Sequence, residues 1–143
     1  MNFKIVFPLL VFCMLGALSH AQDTEKIRTL IQNFSEAGDR QDAAELDQYL
    51  HPHYRIVMNR LFGSHELTIM DKSTYLDKIK RKEFGGDQRK VIVEEPKLNG
   101  NTAYAKVRFV GKQMQFNSLI LAVKDGQGNW FLLSESPVVV AKK

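Results

Sequence analysis

At 143 residues the chain fits one domain with a core large enough to stand without staples. Its single cysteine, Cys13, excludes an internal disulfide framework and a thiolate metal cluster. The formal charge of +4 is scattered except for Lys78-Ile79-Lys80-Arg81-Lys82, a run on a predicted helix that reads as a solvated face; a nucleic-acid surface would interleave such cations with stacking aromatics.

The N-terminus has the build of an export signal. Lys4 supplies a short positive start, Ile5–Leu18 is a nearly unbroken apolar run, and Ser19-His20-Ala21 places small residues where a signal peptidase reads. The run is short for a membrane span. The expectation is a signal peptide over residues 1–21, cut after Ala21, and a periplasmic or secreted domain over 22–143; an uncut N-terminal anchor is the alternative. Cys13 follows Phe12 and precedes Met14-Leu15, so it lacks the setting of a lipidation site. Cleavage removes both Lys4 and Cys13, lowering the charge from +4 to +3 and leaving no thiol for nucleophilic or metal chemistry.

Within the domain, Ile27, Leu30, Ile31, Phe34 and Ala37 recur at helical spacing, predicting a helix over Thr24–Ala37 with Asp23 as N-cap and Gly38 as stop. Asp42 and Glu45 have capping-box spacing for a second helix, with Leu46, Tyr49 and Leu50 on its apolar side and Pro52 ending it. Tyr54–Leu61 follows as a strand, Phe62-Gly63-Ser64-His65 as a turn, and Glu66–Met70 as a short returning strand. A third helix starts near Asp71 or Ser73, buries Tyr75, Leu76 and Ile79, and is stopped by Gly85-Gly86. From Lys90 to Val140 the chain reads as consecutive strands, KVIVEEPKL, NTAYAKVRFV, QFNSLILAVK and NWFLLSESPVVV, parted by short turn-forming segments. Helices segregated from a run of antiparallel strands predict an α+β domain.

Alternation along those strands assigns faces. Ala103, Ala105, Val107 and Phe109 are set inward against Tyr104, Lys106 and Arg108. Tyr54, Ile56 and Met58 form the inward set of the first strand, and Trp130, Leu132 and Ser134 that of the last. These sets hold no carboxylate and no histidine; Glu135 is thereby expected on the surface, and this parity is the main argument against catalysis. One β-bulge would reverse it. Trp130-Phe131-Leu132-Leu133 is apolar on both faces, so something must cover each side, helices on one and a second subunit on the other. His51-Pro52-His53 could bring two imidazoles to one metal ion, yet nothing in the spacing supplies a third ligand, and the segment is explained as the end of a helix.

The stretches YLHPHYRIV at 49–57, DKSTYLDKIK at 71–80, NTAYAKVRF at 101–109 and LILAVKDGQGNWFLL at 119–133, in this order, resemble the NTF2-like superfamily, closest to its SnoaL-like and putative lumazine-binding branch. The resemblance implies a cystatin-like cone: a curved antiparallel sheet wrapped around the three N-terminal-half helices, with one pocket, and commonly a homodimer through the sheet's outer face. It leaves the chemistry open, because the superfamily holds isomerases, cyclases, dehydratases, ligand binders and partner-binding modules. Tyr54, Met58, Phe109, Asn117, Trp130 and Ser134 are the candidate ligand-binding residues, with no catalytic residue, metal or cofactor expected. The leading reading is a non-catalytic binder of a small, partly apolar molecule. An isomerase, dehydratase or cyclase of the SnoaL or ketosteroid-isomerase type is the enzyme alternative, and a protein-interaction module the third. A buried acid or histidine with a shifted pKa would favour the enzyme.

Overall fold

The computed structural model describes residues 7–140. The Lys4 start of the expected leader lies outside them. In chain order the elements are α1 (Phe7–Asp39), α2 (Ala43–Tyr49), β1 (Leu50–Asn59), β2 (Leu67–Asp71), α3 (Lys72–Lys80), β3 (Lys90–Val93), β4 (Lys97–Asn99), β5 (Thr102–Val110), β6 (Gln115–Lys124) and β7 (Trp130–Val140). This is an α+β fold in which a curved, unclosed sheet carries the helices on one face. Among the described residues no helix is long and apolar enough to cross a membrane.

The strand order is β2-β1-β7-β6-β5-β3, with β4 also pairing β5. Every pairing is antiparallel except β1 with β7, which is parallel and joins the N-terminal hairpin to the C-terminal meander. The expected first long strand, 90–98, is instead two short ones. Pro96 has no N–H to donate to a ladder, and the break at Glu94–Pro96 divides β3 from β4 along one partner.

The helix starts follow their caps. Asp42 accepts a hydrogen bond from the Glu45 N–H at 3.0 Å and opens α2, and Asp71 accepts one from the Thr74 N–H at 2.8 Å and opens α3. Asp23 caps nothing, because α1 runs continuously through residues 16–23. Pro52 also differs from expectation: α2 has already ended at Tyr49, and the His-Pro-His segment belongs to β1. Likewise α3 stops at Lys80, short of the glycine pair.

Ile27, Ile31 and Phe34 of α1, Leu46 of α2 and Ile79 of α3 are all essentially buried, packed in one core with Ala103, Ala105, Val107 and Phe109 of β5. The small side chains along β5 let the helical layer approach closely. Truncating Phe34 to alanine would cost about 3–5 kcal/mol by cavity formation.

A clasp holds the segment between α3 and β3 against the end of α1. The Asp39 carboxylate accepts from Arg89 Nε at 2.5 Å and from the Arg89 backbone N–H at 2.9 Å, while Arg89 Nη2 donates to the Ser35 carbonyl at 3.0 Å. The same guanidinium lies over the Phe109 ring, 5.0 Å from its centroid. Gly85 sits beneath this clasp with φ +78°, where an added Cβ would come within 2.1 Å of the Gly38 carbonyl oxygen.

Candidate functional site

The inner face is best followed along its register. Ile56 of β1 stands beside Glu135 of β7, which stands opposite Ile120 of β6, which stands opposite Ala105 of β5. Ile56, Ile120 and Ala105 are buried, so Glu135 faces inward with them. This corrects the surface assignment of Glu135. The cause is a register shift in the β6–β7 ladder: Ala122 pairs with Leu132, but Leu121 pairs with Ser134, so Leu133 is an extra residue. Such a bulge reverses the alternation beyond it. Ser134, expected inward, is turned to the outer face opposite Leu121 and beside the exposed Arg55.

The inward carboxyl is received by two hydroxyls. Ser118 Oγ donates to Glu135 Oε1 at 2.6 Å, and the Tyr54 hydroxyl donates to Oε2 at 3.4 Å. Both partners are buried, and Ser118 arrives because it lies one inward step from Ile120 on β6. Burial pushes the Glu135 carboxyl above its ordinary range, against the Ser118 hydrogen bond, the Arg89 charge and the Tyr54 hydrogen bond. Glu135 is partly exposed as a whole residue, and burial remains the leading cause acting on its carboxyl. The carboxyl governs the chemistry.

Burial, and then the negative charge of Glu135, drive the Tyr54 and Tyr75 hydroxyls well above the usual phenol range. Phe34, Tyr54 and Tyr75 form a mutually tilted aromatic group, with Tyr54 and Tyr75 centroids 5.8 Å apart. Met58, one inward step from Ile56 on β1, and Phe116, two inward steps from Ile120 on β6, are only partly buried and pack against the core. An acid held between two hydroxyls, under an apolar rim, can accept a ligand's N–H or move a proton. Ser35, fully enclosed on α1, has a hydroxyl without a hydrogen-bond partner among the described residues.

The candidate ligand residues do not form one site. Tyr54 touches Glu135, Met58 lies just beyond it, and Phe109 continues the same inner face opposite Phe116. Trp130 is inward but lies toward the other end of the ladder, beyond Leu132. Its indole N–H donates to Asp23 Oδ1 at 3.0 Å, and Lys124 Nζ donates to Asp23 Oδ2 at 2.7 Å while lying over the indole ring. Burial acts to raise the Asp23 carboxyl, and the hydrogen bonds from Lys124 and Trp130 with the Lys124 charge outweigh it, so it sits below its ordinary range. Asn117 is exposed on the outer face, opposite Arg108 and Val138.

The imidazoles stay outside this cluster. His51 and His53 have ring centroids 5.5 Å apart, and the His53 backbone N–H donates to His51 Nδ1 at 3.2 Å. No group of three or more metal-ligating side chains occurs among the described residues. On the opposite side of the sheet a trough of about 810 Å³ is lined by Lys106, Arg108, Asn117, Leu119, Ser136 and Val138, among others.

Glu135 was missed through a strict period of two. A signal was present, since a four-residue apolar run cannot alternate and is where a bulge fits.

Comparison with known proteins gives consistent results. The family model described as "Putative lumazine-binding" matches residues 22–136. None of the curated proteins matches the chain. Among solved structures, an NTF2-like protein of unknown function from Shewanella baltica superposes with a TM-score of 0.73 at 16% identity, covering 85% of this chain and 97% of that one. One from Silicibacter pomeroyi gives 0.71 at 13% identity, covering 84% and 98%. A ketosteroid isomerase-like protein from Erwinia carotovora atroseptica gives 0.65 at 11%, covering 84% and 98%. At these identities the likeness shows the fold alone.

Proposed function

Since this chain belongs to the putative lumazine-binding family of the NTF2-like superfamily, we propose that it is an exported binder of a small, partly apolar molecule, held on the inner face of its sheet. The observation that carries this reading is the Glu135 carboxyl, a polar anchor set among apolar side chains and reached by two hydroxyls. Ligand sites commonly combine apolar walls with a few placed polar groups. The apolar run ahead of Ala21 supports export, and cleavage there would leave Asp23 to hold the start of the helix through Trp130 and Lys124.

A second reading has its own support. A dehydrated acid with a raised pKa is also what an isomerase, dehydratase or cyclase uses to shuttle a proton, and Glu135 removes the sequence-based argument against such chemistry.

Dimerisation through the outer face belongs to the same proposal. Leu119 is 49% and Val138 59% exposed there, beside Tyr104, and Ile69 is exposed toward the other edge. Lys106 and Arg108 have no ion-pair partner among the described residues, and Glu94 lines the same trough. A two-fold axis across the trough would let the Glu94 of each copy face the cations of the other.

Native mass spectrometry of protein purified from its own host tests these points together. A dimer carrying extra small-molecule mass is the expected result. A ligand-free monomer would count against both the pocket and the interface.

A further inference from the structure

We propose that the trough on the outer face of the sheet is a second binding site, for an amphiphilic carboxylate with one negative head and an apolar body. The site is built by one copy of the chain. It lies on the opposite side of the sheet from Glu135 and goes beyond the inner-face reading. Its size fits, since about 810 Å³ falls within the roughly 300–1,000 Å³ usual for small-ligand sites.

Strand register sets the place of the head. Lys106 and Arg108 are successive outward residues of β5, so their Cα atoms stand about 7 Å apart. Asn117 lies opposite Arg108 on β6 and brings a carboxamide that can donate beside the guanidinium. Arg28, Arg89 and Lys124 each grip a carboxylate, whereas Lys106 and Arg108 have no ion-pair partner among the described residues. Among the described residues Glu94 is the one carboxylate lining the trough. Its backbone N–H donates to the Lys106 carbonyl at 2.9 Å, yet its carboxylate pairs with neither cation. Two cations against one carboxylate leave one unit of positive charge, which a single carboxylate head neutralises. Concave, low-dielectric walls focus that charge on the trough. The planar fork of Arg108 can donate to both oxygens of the head.

Apolar side chains border the head. Ile92 stands opposite Arg108 on β3, Leu119 opposite Lys106 on β6, and Val138 opposite Asn117 on β7. Leu119 and Val138 are half or more exposed, so an apolar body laid over them removes from water a surface that one copy leaves wet. The second copy proposed for this face would close over the same body. Ligand and partner then reinforce each other, because each buries apolar surface of the other and the head cancels the charge left over in each trough.

The test uses the full chain, octanoate as the probe and 1-octanol as its uncharged match, with calorimetry for binding and light scattering for mass. Octanoate is expected to bind at least about tenfold more tightly than 1-octanol, because only its head makes charge-assisted hydrogen bonds. Acetate is expected to bind at least about tenfold more weakly than octanoate, because it lacks the apolar body. Lys106→Gln combined with Arg108→Gln is expected to remove the preference for octanoate while leaving the melting temperature in place, since both side chains are exposed. Equal binding of octanoate and 1-octanol would overturn the proposal, and so would acetate binding as tightly as octanoate. Octanoate binding that survives the double variant but is lost in Met58→Trp overturns it too, and favours the inner-face reading. No octanoate binding by a chain that is still dimeric overturns the outer site and leaves the interface standing. A chain that binds octanoate through Lys106 and Arg108 yet stays monomeric supports the site and removes the second copy from it.

Discussion

Glu135 carries its own titration signature. Its carboxyl is raised by burial, so between its ordinary value of 4.5 and the higher folded value the unfolded chain gives up a proton that the folded chain keeps. Stability therefore declines as pH rises through that window, and the decline stops above the folded pKa. Glu135→Gln is expected to flatten this slope, measured as urea midpoints from pH 4 to pH 8; an unchanged slope would show that the carboxyl is not dehydrated. Asp23 has the opposite sign. Its lowered carboxyl contributes stability above the ordinary carboxylate range that is lost as pH falls through its folded value. Ser35 offers a third check, because its enclosed hydroxyl has no partner among the described residues. Ser35→Ala is expected to leave thermal stability unchanged or to raise it by about 1 kcal/mol. A large loss would mean that the hydroxyl is satisfied in solution.

At the level of elements, local chemistry made much of the fold legible before any coordinates. Asp42 and Asp71 mark helix starts, and the alternation of Ala103 through Phe109 gives the buried face of β5 directly. What escaped depends on long-range pairing. Leu133 becomes a bulge only because β6 opposes it with no residue of its own, and that mismatch moves Glu135 inside and Ser134 out. Trp130 and Asp23 lie 107 positions apart, so no local pattern announces their hydrogen bond. Deleting Leu133 should force β7 back to strict alternation and press Glu135 toward the outer face. The expected result is a fall in melting temperature of more than about 8 °C, corresponding to a loss above about 2 kcal/mol, with the Glu135 titration signature gone. Gly85→Ala tests the clasp over α1. With φ +78° and a clash at the Gly38 carbonyl, it is expected to destabilise by more than about 1 kcal/mol in a urea melt.

For the whole molecule, the sheet has two faces with different business. The inner one is filled by helices and holds the acid, while the outer one exposes apolar side chains around a basic trough. An apolar patch of this kind usually marks a contact surface. Leu119→Lys would place a third cation in the trough, and under the proposed outer-face interface light scattering is expected to find the wild-type chain dimeric and the variant monomeric. A dimer that survives the change would put the interface elsewhere.

The parallel seam between β1 and β7 has a topological consequence. The exposed Arg81-Lys82 bond divides the chain into a part with the helices and the β1–β2 hairpin and a part with the rest of the sheet. Neither part owns a complete inner surface, because β1 finds its hydrogen bonds on β7 and Arg89 grips Asp39 across the divide. The two lengths are interlocked like halves of a split reporter. A single tryptic nick there should leave them comigrating in native gels, with separation appearing only when denaturant dissolves the seam.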